Sequence, residues 1–485
     1  MVQHHPVIAQ LHRVVGAAGV LGDPNELRVY ESDGFPIARG LPTAVVFPTD
    51  TDQVAACVKI LSAHGLQIVP RGSGTGLAGG AVVYDGGVII STTRMTKIES
   101  IDLNNRVAVV QAGVPNLALS DALAGTGWHY SPDPSSQRAS TIGGNVATNA
   151  GGINTLKYGV TSNHILGIEL VLPDATVCQA AANPLHDGFG PDLAGLICGS
   201  EGTFGIITRV WCRLVPEPRH FRTFYAVFDS TYNACQTVSD VIAAGVLPTS
   251  MEMMDGGMIQ AVEQAFHYGF PTTAQALLLL ELDGLDEVLD EQMDQVVQIA
   301  RSNGAGDIKQ CSDPDQRAQL WSARKKAFGA VGRISHSYCT QDACVPRSKL
   351  PEVMEHVAEL GETFGIKITN VFHAGDGNIH PILLFDEDDP DQVQRTLQLS
   401  EQILEYCISI GGTITGEHGV GVEKLHLMPR MFNPATIDTF QRIKKAFDPG
   451  RRINDAKVIP SDKLRIELLK PAASNSPGGA LITQR

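Results

Sequence analysis

Two histidines, His373 and His380, sit in residues 370–385, NVFHAGDGNIHPILLF, with Asp376-Gly377 between them. Asp-Gly between apolar runs is a strong two-residue hairpin signal. Folding about that turn pairs Gly375 with Asn378, Ala374 with Ile379 and His373 with His380. Directly opposed hairpin residues share a face, with Cβ atoms about 4.5–5.5 Å apart, so two imidazoles placed there can grip one metal ion. Glu417 and His418 follow within residues 411–421, GGTITGEHGVG. Two imidazoles and a carboxylate make three protein ligands with positions left open, as catalytic zinc sites do. Taken alone, the same residues also fit half-buried strand histidines, a surface acid and a loop histidine.

The second feature is glycine. There are 49 glycines in 485 residues, about 10% against a usual ~7%. Five of them crowd residues 70–80, PRGSGTGLAGG, with Ser73 and Thr75 interleaved and Arg71 in front. Such a run lets several backbone N–H groups converge on one anion. No Gly-Lys-Ser/Thr follows, and the third glycine comes too early for GxGxxG, so neither a P-loop nor the dinucleotide fingerprint is present. A diphosphate cradle fits better than a surface turn. Further glycine clusters occupy residues 140–152, STIGGNVATNAGG, and 199–208, GSEGTFGIIT.

Regular elements must deliver these loops. A Pro-Thr-Asp-Thr-Asp cluster after residues 44–47 marks a helix start, and Val54, Cys57, Val58 and Leu61 give its apolar stripe. Gly65 ends that helix and residues 67–70 return as a strand, a βαβ unit leading into the first glycine run. Residues 88–90, 107–110 and 168–172 read as further strands. The texture changes near Pro216, beyond which longer helical patterns, such as 286–301 and 392–408, alternate with apolar strands such as 276–282. Residues 471–485 have the composition of a loose tail.

Composition sets exclusions. Lys+Arg 37 against Asp+Glu 52 leave a net charge of −15, which disfavours non-specific nucleic-acid binding. Nine cysteines without any CxxC spacing argue against an iron–sulfur cluster or zinc ribbon held by this chain, and fit reduced thiols in the cytosol. The first twenty residues lack a basic start followed by an apolar run, so no secretory signal is expected, and no apolar stretch is long enough to cross a bilayer.

The order and spacing of PRGSGTGLAGG, SPDPSSQRASTIGGNVATNAGG and GSEGTFGIIT resemble the vanillyl-alcohol-oxidase (PCMH) type of FAD-binding domain. HAGDGNIHP and GEHGVG resemble the C-terminal domain of the FAD-linked oxidases that act on D-2-hydroxy acids, above all the glycolate oxidase FAD-subunit branch. The resemblance spans about residues 30–460 and implies an α+β chain. Its expected parts are an N-terminal helical segment (1–40), a PCMH-type FAD-binding domain (41–216) and an FAD-linked oxidase C-terminal substrate domain (217–460). Residues 421–460 would return to the FAD domain, and 461–485 would form the tail.

By the same resemblance, Pro70, Arg71, Gly72, Ser73, Gly74, Thr75 and Gly79 would bind the FAD diphosphate. Pro132, Asp133, Gly143, Gly144, Asn145, Thr148 and Asn149 would line the ribityl chain and ring, with Gly202, Ile207 and Asn454 completing the pocket. No His lies in the first loop, so FAD is expected without a covalent link. His373, His380 and Glu417 would be ligands of a divalent metal, Zn or Mn, His418 the base, and Arg324 the substrate-carboxylate arginine. Where the hydroxyglutarate branch has a Lys and an Asn, this chain has Thr340 and Ile382, which points to a small monocarboxylate, glycolate or D-lactate. Residues 454–457 read Asn-Asp-Ala-Lys where the family has Asn-Pro-Gly-Lys. The implied reaction is oxidation of a 2-hydroxy acid by FAD. Electrons would pass to an iron–sulfur partner subunit or quinone, from a cytoplasmic protein with at most peripheral membrane contact at the inner face. A stand-alone D-lactate dehydrogenase and a non-catalytic flavin-binding scaffold are the competing expectations.

Overall fold

The computed structural model describes residues 6–84, 86–180, 190–311 and 313–460, so the expected tail lies outside the described residues. The chain divides into two compact units. Of the described residues, unit 1 takes those up to Gly151, those within Val160–Pro216 and those from Glu417 to Pro460; unit 2 takes Gly152–Gly159 and those within Glu217–Gly416. The sequence expectation had no counterpart to the short Gly152–Gly159 excursion, and the return to unit 1 begins at Glu417, not 421.

Unit 1 begins its first sheet with β1 (Val20–Leu21) and β2 (Ala44–Val46). Helix α1 (Thr51–Ala63) follows, capped by the Asp50 carboxylate on the Gln53 amide. Its stripe Val54, Cys57, Val58 and Leu61 is fully buried. Strands β3 (Ile68–Arg71) and β4 (Val88–Ser91) run parallel to each other, and β4 also pairs in parallel with β2. Both faces of such a sheet are covered, which is why β2 and β4 read as unbroken apolar runs. A second, antiparallel sheet joins β5 (Ile98–Asp102), β6 (Val107–Gln111), β7 (Ile165–Val171), β8 (Val177–Ala180) and β9 (Ile206–Arg213), in the order β5-β6-β9-β7-β8. Between β6 and β7 lies α2 (Ile142–Thr148).

The chain's last described stretch closes unit 1. Phe447, at the end of the helix Pro434–Phe447, stacks on Phe204 with ring centroids 4.7 Å apart. Ile453 bridges to Ile68 alongside β3. Asn454 donates through Nδ2 to the carbonyls of Gly80 (3.1 Å) and Glu201 (2.6 Å), and Lys457 Nζ donates to Gly80 O at 2.8 Å and to Asn454 Oδ1 at 2.6 Å. Burial pulls the Lys457 ammonium down to about 7, so these acceptors are what hold it inside the protein.

Unit 2 is built on one seven-stranded sheet. Its strands are β10 (His220–Phe228), β11 (Ser250–Asp255), β12 (Ala276–Gly284), β13 (Ile308–Gln310), β14 (Ser337–Thr340), β15 (Lys367–Phe372) and β16 (Pro381–Phe385), ordered β13-β10-β12-β11-β15-β16-β14. One face packs a core from Met254, Leu277, Leu279, Val371 and Ile382 against Met258 and Val262 of α3 (Gly256–Phe266) and against Trp321 and Ala327 of α4 (Pro314–Val331).

The turn after β15 departs from the expected hairpin. Residues Ala374–Asp376 form a 3-10 turn ended by Gly377, and His373 bridges Asn378 across a four-residue loop. The register continues that of Asn370 with Pro381, two residues away from the expected one. A two-residue slip, unlike a one-residue slip, leaves every side chain on its original face. His373 and His380 therefore still share a face as diagonal neighbours, their ring centroids 5.2 Å apart. Gly377 has φ 71, and a β-carbon there would stand 2.3 Å from the Val345 carbonyl oxygen. Left-handed backbone costs an L residue roughly 1–2 kcal/mol before any clash. G377A is expected to lower the thermal midpoint by at least about 4 °C, at roughly 2–4 °C per kcal/mol for a unit of this size, read by circular dichroism; an unchanged midpoint would show that the turn adapts.

Candidate active site

In unit 1 the glycine clusters converge. Pro70 and Arg71 end β3, and the loop from Gly72 through Thr75 is partly open to solvent, whereas Gly79 is buried. Arg71 turns inward: Nη1 donates to the Ser32 carbonyl at 2.8 Å, and the guanidinium lies 5.6 Å from the Tyr30 ring centroid. The loop meets the second cluster at Gly72, where a β-carbon would lie 2.6 Å from Thr141 Oγ1. Thr141 caps α2 by accepting from the Gly144 amide. Gly143, Gly144, Asn145 and Thr148 lie on α2, and Asn149 ends it in the left-handed conformation at φ 52. Pro132 is buried, its carbonyl accepting from Asn116 Nδ2 at 2.9 Å, and Asp133 follows it half-buried. The third cluster docks on the same helix, with the Gly199 amide on the Val146 carbonyl and the Glu201 amide on the Ala147 carbonyl. Gly202 comes next and Ile207 is buried in β9.

Asn145 Nδ2 and Ser140 Oγ are buried there without a hydrogen-bond partner. Buried polar groups are normally satisfied, so orphaned ones beside an open glycine loop fit a site whose ligand supplies the missing partners. Asn454, also expected at the pocket, ties the returning chain to Gly80 and Glu201 of the first and third glycine clusters.

The Glu417–His418 dipeptide also belongs to unit 1. Glu417 accepts from the Gly151 amide at 2.9 Å. The residues just after it are pinned by Glu201, whose two oxygens take the Val420 amide at 2.6 Å and the Gly421 amide at 2.9 Å. Burial pushes the Glu201 carboxyl up to about 7 against the pull of those amides. Glu201 was not singled out from the sequence, although it lies within the third glycine cluster.

In unit 2 the face that carries His373 and His380 also carries a carboxylate absent from the sequence-based set. Glu252, 1% exposed on β11, follows the register of Met253 with Phe372 and so lies across from His373. Its Oε1 is 2.7 Å from His373 Nδ1. Its Oε2 accepts from Arg324 Nε at 2.7 Å and Nη2 at 2.6 Å. Arg324 is 2% exposed on α4. Asp342 stands 3.4 Å from His380 Nε2 and accepts from Thr415 Oγ1 at 2.5 Å and the Gly416 amide at 2.9 Å. The sequence clue to Glu252 is an acid flanked by methionines in the strand SMEMMD, two residues before the core residue Met254 and so on the same face.

Two buried imidazoles on one face, one backed by a carboxylate at Nδ1, are the arrangement proteins use to orient metal-ligating histidines, with Nε2 as the ligand atom. The unit 2 residues therefore fit a divalent metal. Thr340 and Ile382 are direct cross-strand partners on the same face, both buried, Ile382 within the apolar core.

Residues 217–458 match the model for FAD linked oxidases, C-terminal domain, and residues 42–181 match the FAD binding domain. The glycolate oxidase subunit GlcD of Escherichia coli strain K12 is 42% identical, covering 94% of this chain and 91% of that one. GlcD of Bacillus subtilis is 37% identical over 90% of this chain and 92% of its own length. The D-lactate dehydrogenase of Archaeoglobus fulgidus is 33% identical over 86% of this chain and 91% of its own. Among solved structures, p-cresol methylhydroxylase aligns with a TM-score of 0.78 at 18% identity, covering 93% of this chain and 96% of that one. The 4-ethylphenol oxidase of Gulosibacter chungangensis gives 0.76 at 19%, covering 95% and 98%. These two show a shared fold. With the glycine clusters, the buried histidine–carboxylate face and the two matched domains in place, the chain belongs to the FAD-linked oxidases, an oxidoreductase family with a vanillyl-alcohol-oxidase-type FAD-binding domain and an FAD-linked oxidase C-terminal domain.

Proposed function

We propose that this chain oxidises a small D-2-hydroxy monocarboxylate, glycolate to glyoxylate in the first place, as the flavin subunit of a larger assembly. The observation that carries the substrate class is Arg324 held on Glu252 beside His373. A buried, always-charged fork next to a metal-competent imidazole suits a 2-hydroxy acid, whose carboxylate and hydroxyl lie on adjacent carbons. Glycolate is favoured by the 42% identity to a glycolate oxidase subunit, and D-lactate is the second reading, favoured by the 33% identity to a D-lactate dehydrogenase. Thr340 and Ile382 offer no cation for a second carboxylate, which supports a monocarboxylate over hydroxyglutarate.

In this reading FAD is held without a covalent bond by Pro70 to Thr75, Gly79 and the α2 residues Gly143, Gly144, Asn145 and Thr148, with Pro132, Asp133, Asn149, Gly202 and Ile207 around it and Asn454 bracing the wall. His373, His380 and Glu417 hold a divalent metal, Zn or Mn. When bound, the flavin supplies a two-electron acceptor and the metal a Lewis acid for the substrate oxygens. Arg324 orients the substrate carboxylate. His418 takes the hydroxyl proton, since an imidazole titrates close to working pH. Glu201 holds the backbone that follows His418 and so limits where that base can stand.

The onward electron path runs to a separate subunit carrying iron–sulfur clusters and then to quinone. Two facts support that: the relatives are subunits by name, and the nine cysteines of this chain are all free thiols without CxxC spacing. No helix among the described residues is long and apolar enough to cross a membrane, so contact with a bilayer would be peripheral, from the cytoplasmic side.

Anaerobic addition of glycolate to the purified yellow protein is expected to bleach the flavin, with D-lactate slower and D-2-hydroxyglutarate inert. A flavin that none of these acids reduces would leave only the scaffold reading. H418A is expected to retain FAD yet slow flavin reduction roughly 10²–10⁴-fold in stopped flow. Exhaustive chelation should abolish reduction and added Zn or Mn restore it; full activity after chelation and dialysis would remove the metal from the scheme. G72A, whose β-carbon would press on Thr141, is expected to purify with about tenfold weaker FAD affinity, measured by apoprotein titration, if close backbone approach is what the loop provides.

A further inference from the structure

Glu252 does two jobs with one carboxylate, one at each oxygen. Oε2 takes both Nε and Nη2 of Arg324, and Arg324 makes no other hydrogen bond among the described residues. Oε1 is left for His373 Nδ1 at 2.7 Å. A guanidinium stays protonated in proteins, and its partner at 2.6–2.7 Å is an ionised carboxylate, which can only accept. The proton between Oε1 and Nδ1 therefore belongs to the imidazole, which places the lone pair of His373 on Nε2. Glu252 is itself 1% exposed and His373 4%, so bulk water does not compete for either oxygen.

We propose that Glu252 is a positioning residue that fixes His373 as the Nδ1–H tautomer and, through the same carboxylate, presents Arg324 end-on to the substrate. The metal part rests on the proposed function above. With Nε and one Nη2 proton committed to Glu252, the guanidinium can fork a carboxylate only through Nη1 and the second Nη2 proton. Substrate orientation and metal affinity are thereby set by a single side chain, and the two can be separated by mutation.

E252Q keeps the shape but has one acceptor and one donor end. Arg324 claims the oxygen, which turns the amide NH₂ toward His373 Nδ1. That nitrogen must then accept, the imidazole proton moves to Nε2, and the metal-binding lone pair is lost. Metal affinity, measured by chelator competition on the FAD-loaded protein, is expected to fall about 10–100-fold, the size seen when a partner behind a ligating histidine is lost. In E252Q/R324M the guanidinium is gone, so the Gln oxygen can turn to Nδ1–H. Metal affinity should recover to within about threefold of the native protein, while the KM for glycolate stays raised. A purely structural role for Glu252 gives no reason for a second substitution to restore metal binding.

E252Q buries an uncompensated charge, a strongly destabilising change. R324M and E252M/R324M give a second comparison without a stranded guanidinium, in which the doubly substituted protein should bind metal at least about tenfold more weakly than R324M. Histidine-selective ¹⁵N spectra of metal-free protein read the tautomer directly: Nδ1–H for His373 in the native chain and Nε2–H in E252Q, with H373N identifying the resonance. Equal metal affinity in native and E252Q proteins, a double variant E252Q/R324M as weak as E252Q, or an Nε2–H signal in the native protein would each overturn the proposal. A native protein that binds no metal would refute the metal reading alone, because the ¹⁵N spectrum still decides the tautomer.

Discussion

One buried carboxylate organises the chemical face of unit 2. Glu252 neutralises Arg324 and orients His373, and all three are nearly fully enclosed. An arginine at this depth is tolerable only with a counter-ion, because desolvating an unpaired charge would cost a large part of the stability of a typical domain. The surrounding architecture serves that pair. β11 and β15 are held in register so that residues 252 and 373 face each other, α4 brings Arg324 over them, and the apolar core on the same face, Met254 and Val371 included, keeps the local dielectric low. Strength and geometry arrive together, since electrostatic interactions between such groups are larger away from water.

Unit 1 follows a different principle, close approach of backbone. Its three glycine clusters meet on a single short helix, through the contact of Gly72 with the Thr141 cap and through amide-to-carbonyl bonds from Gly199 and Glu201. Two polar groups of that wall, Asn145 Nδ2 and Ser140 Oγ, are buried without a hydrogen-bond partner. The two units are thus built on different devices: unit 1 removes side chains so that backbone can approach backbone, and unit 2 pairs buried charges.

Much of this was readable from local patterns. The stripe Val54, Cys57, Val58, Leu61 specified a helix and its buried face, because a 3.6-residue period is encoded within a dozen positions. The shared face of His373 and His380 was also legible even though the expected turn was not, since face depends only on parity and the register moved by two. Glu252 escaped notice because its meaning lies in partners 72 and 121 positions away. So did the fate of Gly152–Gly159, which joins unit 2 through Tyr158 Oη on Asp283 at 2.8 Å and Lys157 on the same carboxylate. Turn propensity and periodicity are short-range properties; a charge network is a property of the assembled core.

The clamp at the end of unit 1 has a bearing on biosynthesis. Lys457 and Asn454 close on the carbonyl of Gly80, 377 and 374 residues earlier in the chain. Ile453 likewise extends along β3 only after unit 2 has been made in full. During translation the glycine loop must therefore wait for these contacts until residues 453–457 have left the ribosome. Contacts of such sequence separation form late and slowly. Unit 2, whose main stretch Glu217–Gly416 is nearly continuous, can mature first. In the reading proposed above, closure of the flavin wall thus waits for residues 453–457, and a chain cut short before residue 453 would emerge with a finished core in one unit and an unclosed glycine loop in the other.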